Sequence, residues 1–133
     1  IQLYASVELA EDFQSVREVG ADGVGLYRTE FLFLNRSSNP DEDEHFNNYR
    51  QMIDALDGLP FTIRTADLGS DKMPESSVAS IPYASNPALG LRAIRLCLRE
   101  PSLFWPQLRA IIRASAFGRV RMMIPMLSSI DEV

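Results

Sequence analysis

Short apolar runs alternate with amphipathic ones along this chain, and that alternation limits the possible folds more than any other feature. Ile1–Val7 (IQLYASV) reads as a strand. Leu9, Phe13 and Val16 then recur at helical spacing, and Gly20 supplies the stop. Val24, Leu26 and Tyr27 open a second strand and Phe61–Thr65 makes a third. Val120–Leu127 (VRMMIPML) is a fourth, continuously apolar as in a strand covered on both faces. Strand, helix and strand within about thirty residues form a βαβ unit. Such a unit implies parallel pairing and a right-handed crossover.

The intervening segments read as helices with loops. Ser38 or Asn39 is expected to cap a helix with Pro40 in its first turn and Phe46, Tyr49, Ile53 and Leu56 as its buried stripe. Asp41, Glu42, Asp43 and Glu44 fall beside the positive end of that helix dipole, which favours a solvated, dipole-compensating role over a metal site. His45, the one histidine, has no histidine, cysteine or serine beside it and is assigned to surface or packing. Asp57-Gly58-Leu59-Pro60 is a turn. Met73–Ser85, rich in Pro and Ser, is long for an idle connection and reads as a functional loop.

Asn86-Pro87 is expected to open a helix with Leu91, Ile94 and Leu98 facing inward. Pro101-Ser102 restarts helix, with Leu108, Ile111, Ile112 and Ser115 as its stripe and Trp105 as a packing anchor. Cys97, mid-helix among apolar neighbours, reads as a structural buried thiol. Ser128 or Ser129 caps a last helical turn, with Glu132 placed for a capping box.

Chemistry concentrates where two strands run out. Val24–Tyr27 leads into Arg28-Thr29-Glu30, and Phe61-Thr62-Ile63 leads into Arg64-Thr65-Ala66-Asp67. Two apolar strands that each end in Arg-Thr followed by an acid aim two arginines at one place. The planar guanidinium fork matches phosphate and carboxylate oxygens, so an anionic ligand is the first expectation. The alternative is an ion-pair layer that is purely structural.

Four strands alternating with helices leave an open doubly wound sheet or a (β/α)8 barrel. A dinucleotide fold needs a glycine fingerprint after its first strand, and Ala5-Ser6-Val7-Glu8 has no glycine. Residues gathered at the C-terminal ends of strands favour the barrel. A barrel takes about 250 residues, so a chain of 133 is read as its first half, about four βα units, in a parallel α/β fold. Residues 1–133 are accordingly expected to form a partial domain of a longer protein, truncated at both ends. A net charge of −5 argues against a nucleic-acid surface. No apolar run approaches the roughly 20 residues that would span a bilayer. A single cysteine excludes an internal disulfide framework and fits a reducing cytoplasm.

Four motifs in series, GADGVGLYRTEFLF, RTADLGSDK, NPALGLRAIR and LRAIIRASAFG, resemble Enzyme I of the bacterial phosphoenolpyruvate-dependent phosphotransferase system. The resemblance covers Gln2 to Val133. It departs from the family pattern mildly at Ser70, where most members carry Gly, and at Ser6, where most carry Asn. The nitrogen-related paralogue is a close alternative, and the dikinases and phosphoenolpyruvate synthases are more distant ones.

The resemblance implies the first half of a dimerising phosphoenolpyruvate-binding barrel that uses Mg²⁺, with the metal ligands outside this chain. It implies transfer of the phosphoryl group to a histidine on a separate N-terminal domain and on to the carrier HPr for sugar uptake. It places Arg28, Arg64 and Arg92 on the substrate, with Lys72 as a further candidate. By the chemistry of phosphoryl transfer, Thr29 and Thr65 would orient the arginines or bond phosphate oxygens, and Glu30 and Asp67 would pair with the arginines rather than with metal. No catalytic residue falls within the chain on this view, and the isolated piece is expected to be inactive. A non-catalytic, self-associating half-barrel with exposed edge strands is the competing expectation.

Overall fold

The computed structural model describes residues 1–69 and 90–133. Its frame is one sheet of four parallel strands: β1 (Ala5–Val7), β2 (Val24–Tyr27), β3 (Phe61–Arg64) and β4 (Val120–Met123). The strands lie side by side in the order β1-β2-β3-β4. A doubly wound sheet reverses direction at a switch point, whereas sequential order without reversal is how a (β/α)8 barrel begins. The α/β architecture is therefore that of the first four units of a barrel.

Helices α1 (Asp12–Glu18), α2 (Glu42–Leu56), α3 (Ile94–Arg99) and α4 (Pro101–Ser115) cover the sheet. Val7, Val24, Tyr27, Phe61 and Ile63 from the strands share one core with Phe13, Val16, Tyr49, Met52, Ile53, Leu56, Ala110, Ile111 and Ala114 from the helices. At its centre Phe13 meets Tyr27 edge-on at 5.3 Å and Phe61 at 5.4 Å. Each such pair adds about 0.5–1.5 kcal/mol beyond the burial of its area. A second cluster, with Phe33, Leu68, Ile94, Leu96, Cys97, Leu103 and Phe104, closes the end at which β2 and β3 finish.

Several helix faces differ from the sequence expectation, for identifiable reasons. The cap of α2 is Asp41 rather than Ser38 or Asn39. Its side chain accepts from Glu44 N at 2.8 Å while Glu44 reaches back to Asp41 N at 3.0 Å. This box makes a second use of the acidic run. His45 is fully buried beside Tyr49, and Phe46 is only half-buried, lying under the Arg113 guanidinium at 4.2 Å. On α3 the inward side chains are Ile94, Leu96 and Cys97, while Leu98 is exposed; the expected helix start at Asn86-Pro87 lies outside the described residues. The Met73–Ser85 stretch also lies outside them.

The face of α4 is rotated as well. Leu103, Phe104, Gln107, Ala110, Ile111 and Ala114 are buried, and Trp105, Ile112 and Ser115 are exposed. Small alanines let this helix approach α2 and the sheet closely, so bulky apolar residues stay outside. Trp105 is thus a surface residue, not a packing anchor. Strand β4 ends at Met123 and exposes Met122 and Met123, because it forms an edge of this sheet. The final turn begins as expected, with a Ser129–Glu132 capping box opening a short 3-10 helix, Ile130–Glu132.

Candidate functional site

All strands are parallel, so the segments that follow β1, β2 and β3 emerge at the same end of the sheet. Glu8 follows β1, Arg28 follows β2, and Arg64 is the last residue of β3. They share a cleft of about 430 Å3 with Leu26, Glu30, Phe31, Leu34, Asp67 and Arg92. The polar part of this lining holds three arginines and three carboxylates.

Arg28 pairs with Glu8 across the ends of β1 and β2, and both side chains are about half exposed. Glu30, at the start of the 3-10 turn Glu30–Phe33, joins the next two elements. Its Oε1 accepts from Arg64 Nη2 and from Asp67 N, both at 2.9 Å. Asp67 lies 3.6 Å from Arg64 Nη1 and accepts from Arg92 Nε at 2.7 Å and Arg92 Nη2 at 3.3 Å. The backbone brings Arg92 there: Gly69 and Arg92 form an antiparallel bridge, and Ala93 N donates to Leu68 O at 3.0 Å. Ala93 takes φ +50°, a conformation that costs a non-glycine residue about 1–3 kcal/mol. Strain is therefore held directly beside Arg92.

A guanidinium has five N–H donors. Among the described residues Arg28 and Arg64 each make one side-chain hydrogen bond, and Arg64 Nε is buried without an acceptor. The carboxylates thus anchor the forks of Arg28 and Arg64 and leave other donors of both without a protein acceptor among the described residues. A small, multiply charged anion can meet several of these at once.

The structure gathers Arg28, Glu30, Arg64, Asp67 and Arg92 into this cleft and sets Thr29 and Thr65 behind it. Thr29 is fully buried, and its Oγ donates to Arg64 O at 2.9 Å. Thr65 is buried in the sheet, its N–H bonded to Met123 O at 2.9 Å. Lys72 lies outside the described residues. Glu8 was not anticipated, although its place directly after a strand is the same signal that marks Arg28. Gln107 was also missed. It is the one polar residue in the buried stripe of α4, and that interruption was its signal.

Among the described residues, no group of three or more His, Cys, Asp or Glu could hold a metal ion. No helix among them is long and apolar enough to cross a membrane.

The family model described as "PEP-utilising enzyme, PEP-binding domain" matches residues 1–133. The chain belongs to this family. Relatives of this PEP-binding domain carry the name phosphoenolpyruvate-protein phosphotransferase. The protein from Cupriavidus necator is 53% identical over 134 residues, covering 100% of this chain and 23% of the relative. A Staphylococcus aureus protein is 46% identical over 98% of the chain, and one from Priestia megaterium 44% identical over 99%. The chain spans 23% of the length of each of these relatives. The cleft stands at the end of the sheet where barrel enzymes build their chemistry.

Proposed function

We propose that the cleft between Glu8 and Arg92 is one wall of a phosphoenolpyruvate site. The chain would be the first half of the barrel domain of a phosphoenolpyruvate-protein phosphotransferase. The observation that carries this reading is the convergence of Arg28, Arg64 and Arg92 on one cleft at the strand ends. Phosphoenolpyruvate bears a phosphate and a carboxylate on a small skeleton, and phosphoryl transfer asks the protein chiefly for positioning and neutralisation of charge. Arg28 and Arg64 hold the anionic groups, Arg92 flanks them, and Lys72 is a further contributor. Glu8, Glu30 and Asp67 hold the guanidiniums in place.

The same reading sends the phosphoryl group to a histidine on a separate domain and then to an HPr-type carrier, in service of sugar uptake in the cytoplasm. The Mg²⁺ ion this chemistry implies does not fit the described residues. Glu30 and Asp67, the two carboxylates deepest in the cleft, are both engaged by arginines, so its ligands are assigned outside this chain. Homodimer formation belongs to the same proposal and rests on the resemblance in sequence alone. On this assignment the 133-residue piece binds ligand weakly and does not turn over.

Isothermal titration with phosphoenolpyruvate tests the reading on wild type and on Arg28→Ala/Arg64→Ala. A measurable affinity lost in the double variant is expected. Indistinguishable titrations would remove the claim.

A further inference from the structure

We propose that Gln107 is a positioning residue that sets the Arg28 and Arg64 wall of the cleft for its ligand. This deepens the phosphoenolpyruvate reading and rests on it.

Gln107 lies on α4 at 1% exposure, in a stripe otherwise made of Leu103, Phe104, Ala110, Ile111 and Ala114. It does not line the cleft. Its amide is nonetheless fully used. Oε1 accepts from Ala66 N at 2.9 Å, and Nε2 donates to Thr29 Oγ at 3.0 Å and to Tyr49 OH at 3.2 Å. The orientation of the amide is decided by Ala66, because the flipped form would set Nε2 against a backbone N–H. With a donor already on its oxygen, Thr29 directs its single proton to Arg64 O at 2.9 Å. One side chain therefore ties the residue after Arg28, the carbonyl of Arg64 and the amide of the residue before Asp67 to the same helix.

These three points fix where Arg28, Glu30, Arg64 and Asp67 leave the backbone. An apolar side chain of similar volume fills the space but leaves Ala66 N–H and two protons' worth of pairing undone, and buried groups in that state drive local rearrangement. Tyr49 completes the far side of the latch. Burial keeps its phenol protonated, and its OH lies 3.3 Å from His45 Nδ1. The consequence is a cleft whose geometry is set from the opposite side of the strand ends, where no ligand reaches.

The test is a double-mutant cycle in the intact protein, read by calorimetric titration with phosphoenolpyruvate well below each variant's melting temperature. Gln107→Leu is expected to raise Kd about ten-fold. Arg64→Lys removes the fork that the latch orients, and in that background Gln107→Leu is expected to raise Kd less than about two-fold. An equal effect in both backgrounds makes Gln107 merely structural and overturns the proposal, as does an unchanged Kd in the folded Gln107→Leu protein. If Arg64→Lys leaves Kd at the wild-type value, the phosphoenolpyruvate reading of this wall fails, and the latch fails with it. If Arg64→Lys weakens binding and Gln107→Leu does not, only the latch fails. Should Gln107→Leu not fold, Thr29→Val replaces it in the cycle, since it removes the other end of the same bond in a side chain of the same shape.

Discussion

Arg92 grips Asp67 with two nitrogens, Nε at 2.7 Å and Nη2 at 3.3 Å, across 25 residues of chain. The carboxylate is nearly buried while the guanidinium is about 38% exposed. Arg92→Lys keeps the charge and loses the two-pronged contact. A pair with one exposed partner contributes at most about 1 kcal/mol to stability. The substitution should therefore move the urea midpoint little. It should still weaken phosphoenolpyruvate binding about ten-fold, because a point charge cannot replace a planar fork. Titration calorimetry beside urea unfolding separates the two effects.

His45 gives stability a pH dependence. Burial is the leading cause that pushes its imidazole from 6.5 down to about 4, with Arg36 adding to the effect and Glu44 and Asp41 opposing it. A depressed folded value means that the unfolded chain takes up the proton first. Stability from this site is then complete above about pH 6.5 and lost as pH falls towards 4. The loss is about 3 kcal/mol over that window. His45→Leu should flatten this portion of the curve in urea unfolding at pH 7 and pH 4.5, and parallel curves for the two proteins would contradict it.

Two glycines with positive φ separate strain from collision. Gly20, at φ +72°, has open space where a Cβ would stand, so Gly20→Ala should cost about 1 kcal/mol of conformational strain. Gly23, at φ +146°, would place that Cβ 2.5 Å from Pro60 O, at the point where Val24 N bonds Pro60 O at 2.8 Å. Gly23→Ala should cost more than about 3 kcal/mol, since the join between β2 and the turn before β3 must shift. Thermal unfolding of the two variants checks the ratio.

Cys97 should be chemically silent in the native protein. It is buried, and burial pushes its thiol up to about 12. The thiolate fraction at pH 8 is then on the order of 10⁻⁴. Alkylation by iodoacetamide is expected only after denaturant is added, and mass spectrometry reads the result directly.

Much of the fold was legible because it depends on short-range pattern. Apolar runs of strand length, helical spacing in Phe13, Val16, Tyr49, Ile53 and Leu56, and stop signals such as Gly20 place all four strands and the body of α2 within a few residues. The arginines of the cleft were legible too, since Arg28 and Arg64 each stand where an apolar strand ends. What misled was the choice of face. On α4 the eye follows Trp105 and Ile112, yet both are exposed, and the helix packs through Ala110, Ala114 and Gln107.

The sequence by itself determined that parallel strands would alternate with helices, that basic and acidic residues would collect at the strand ends, and that the motifs would be those of a PEP-binding domain. Only the tertiary structure decided that Gln107 would hold Thr29 and Ala66 together and that Asp67 would meet Arg92. The reason is one of range. Periodicity records which residues share a face, but which face turns inward depends on the volumes and hydrogen-bonding groups of segments far away in the chain. Gln107 and Thr29 are 78 residues apart, and no local pattern carries that distance.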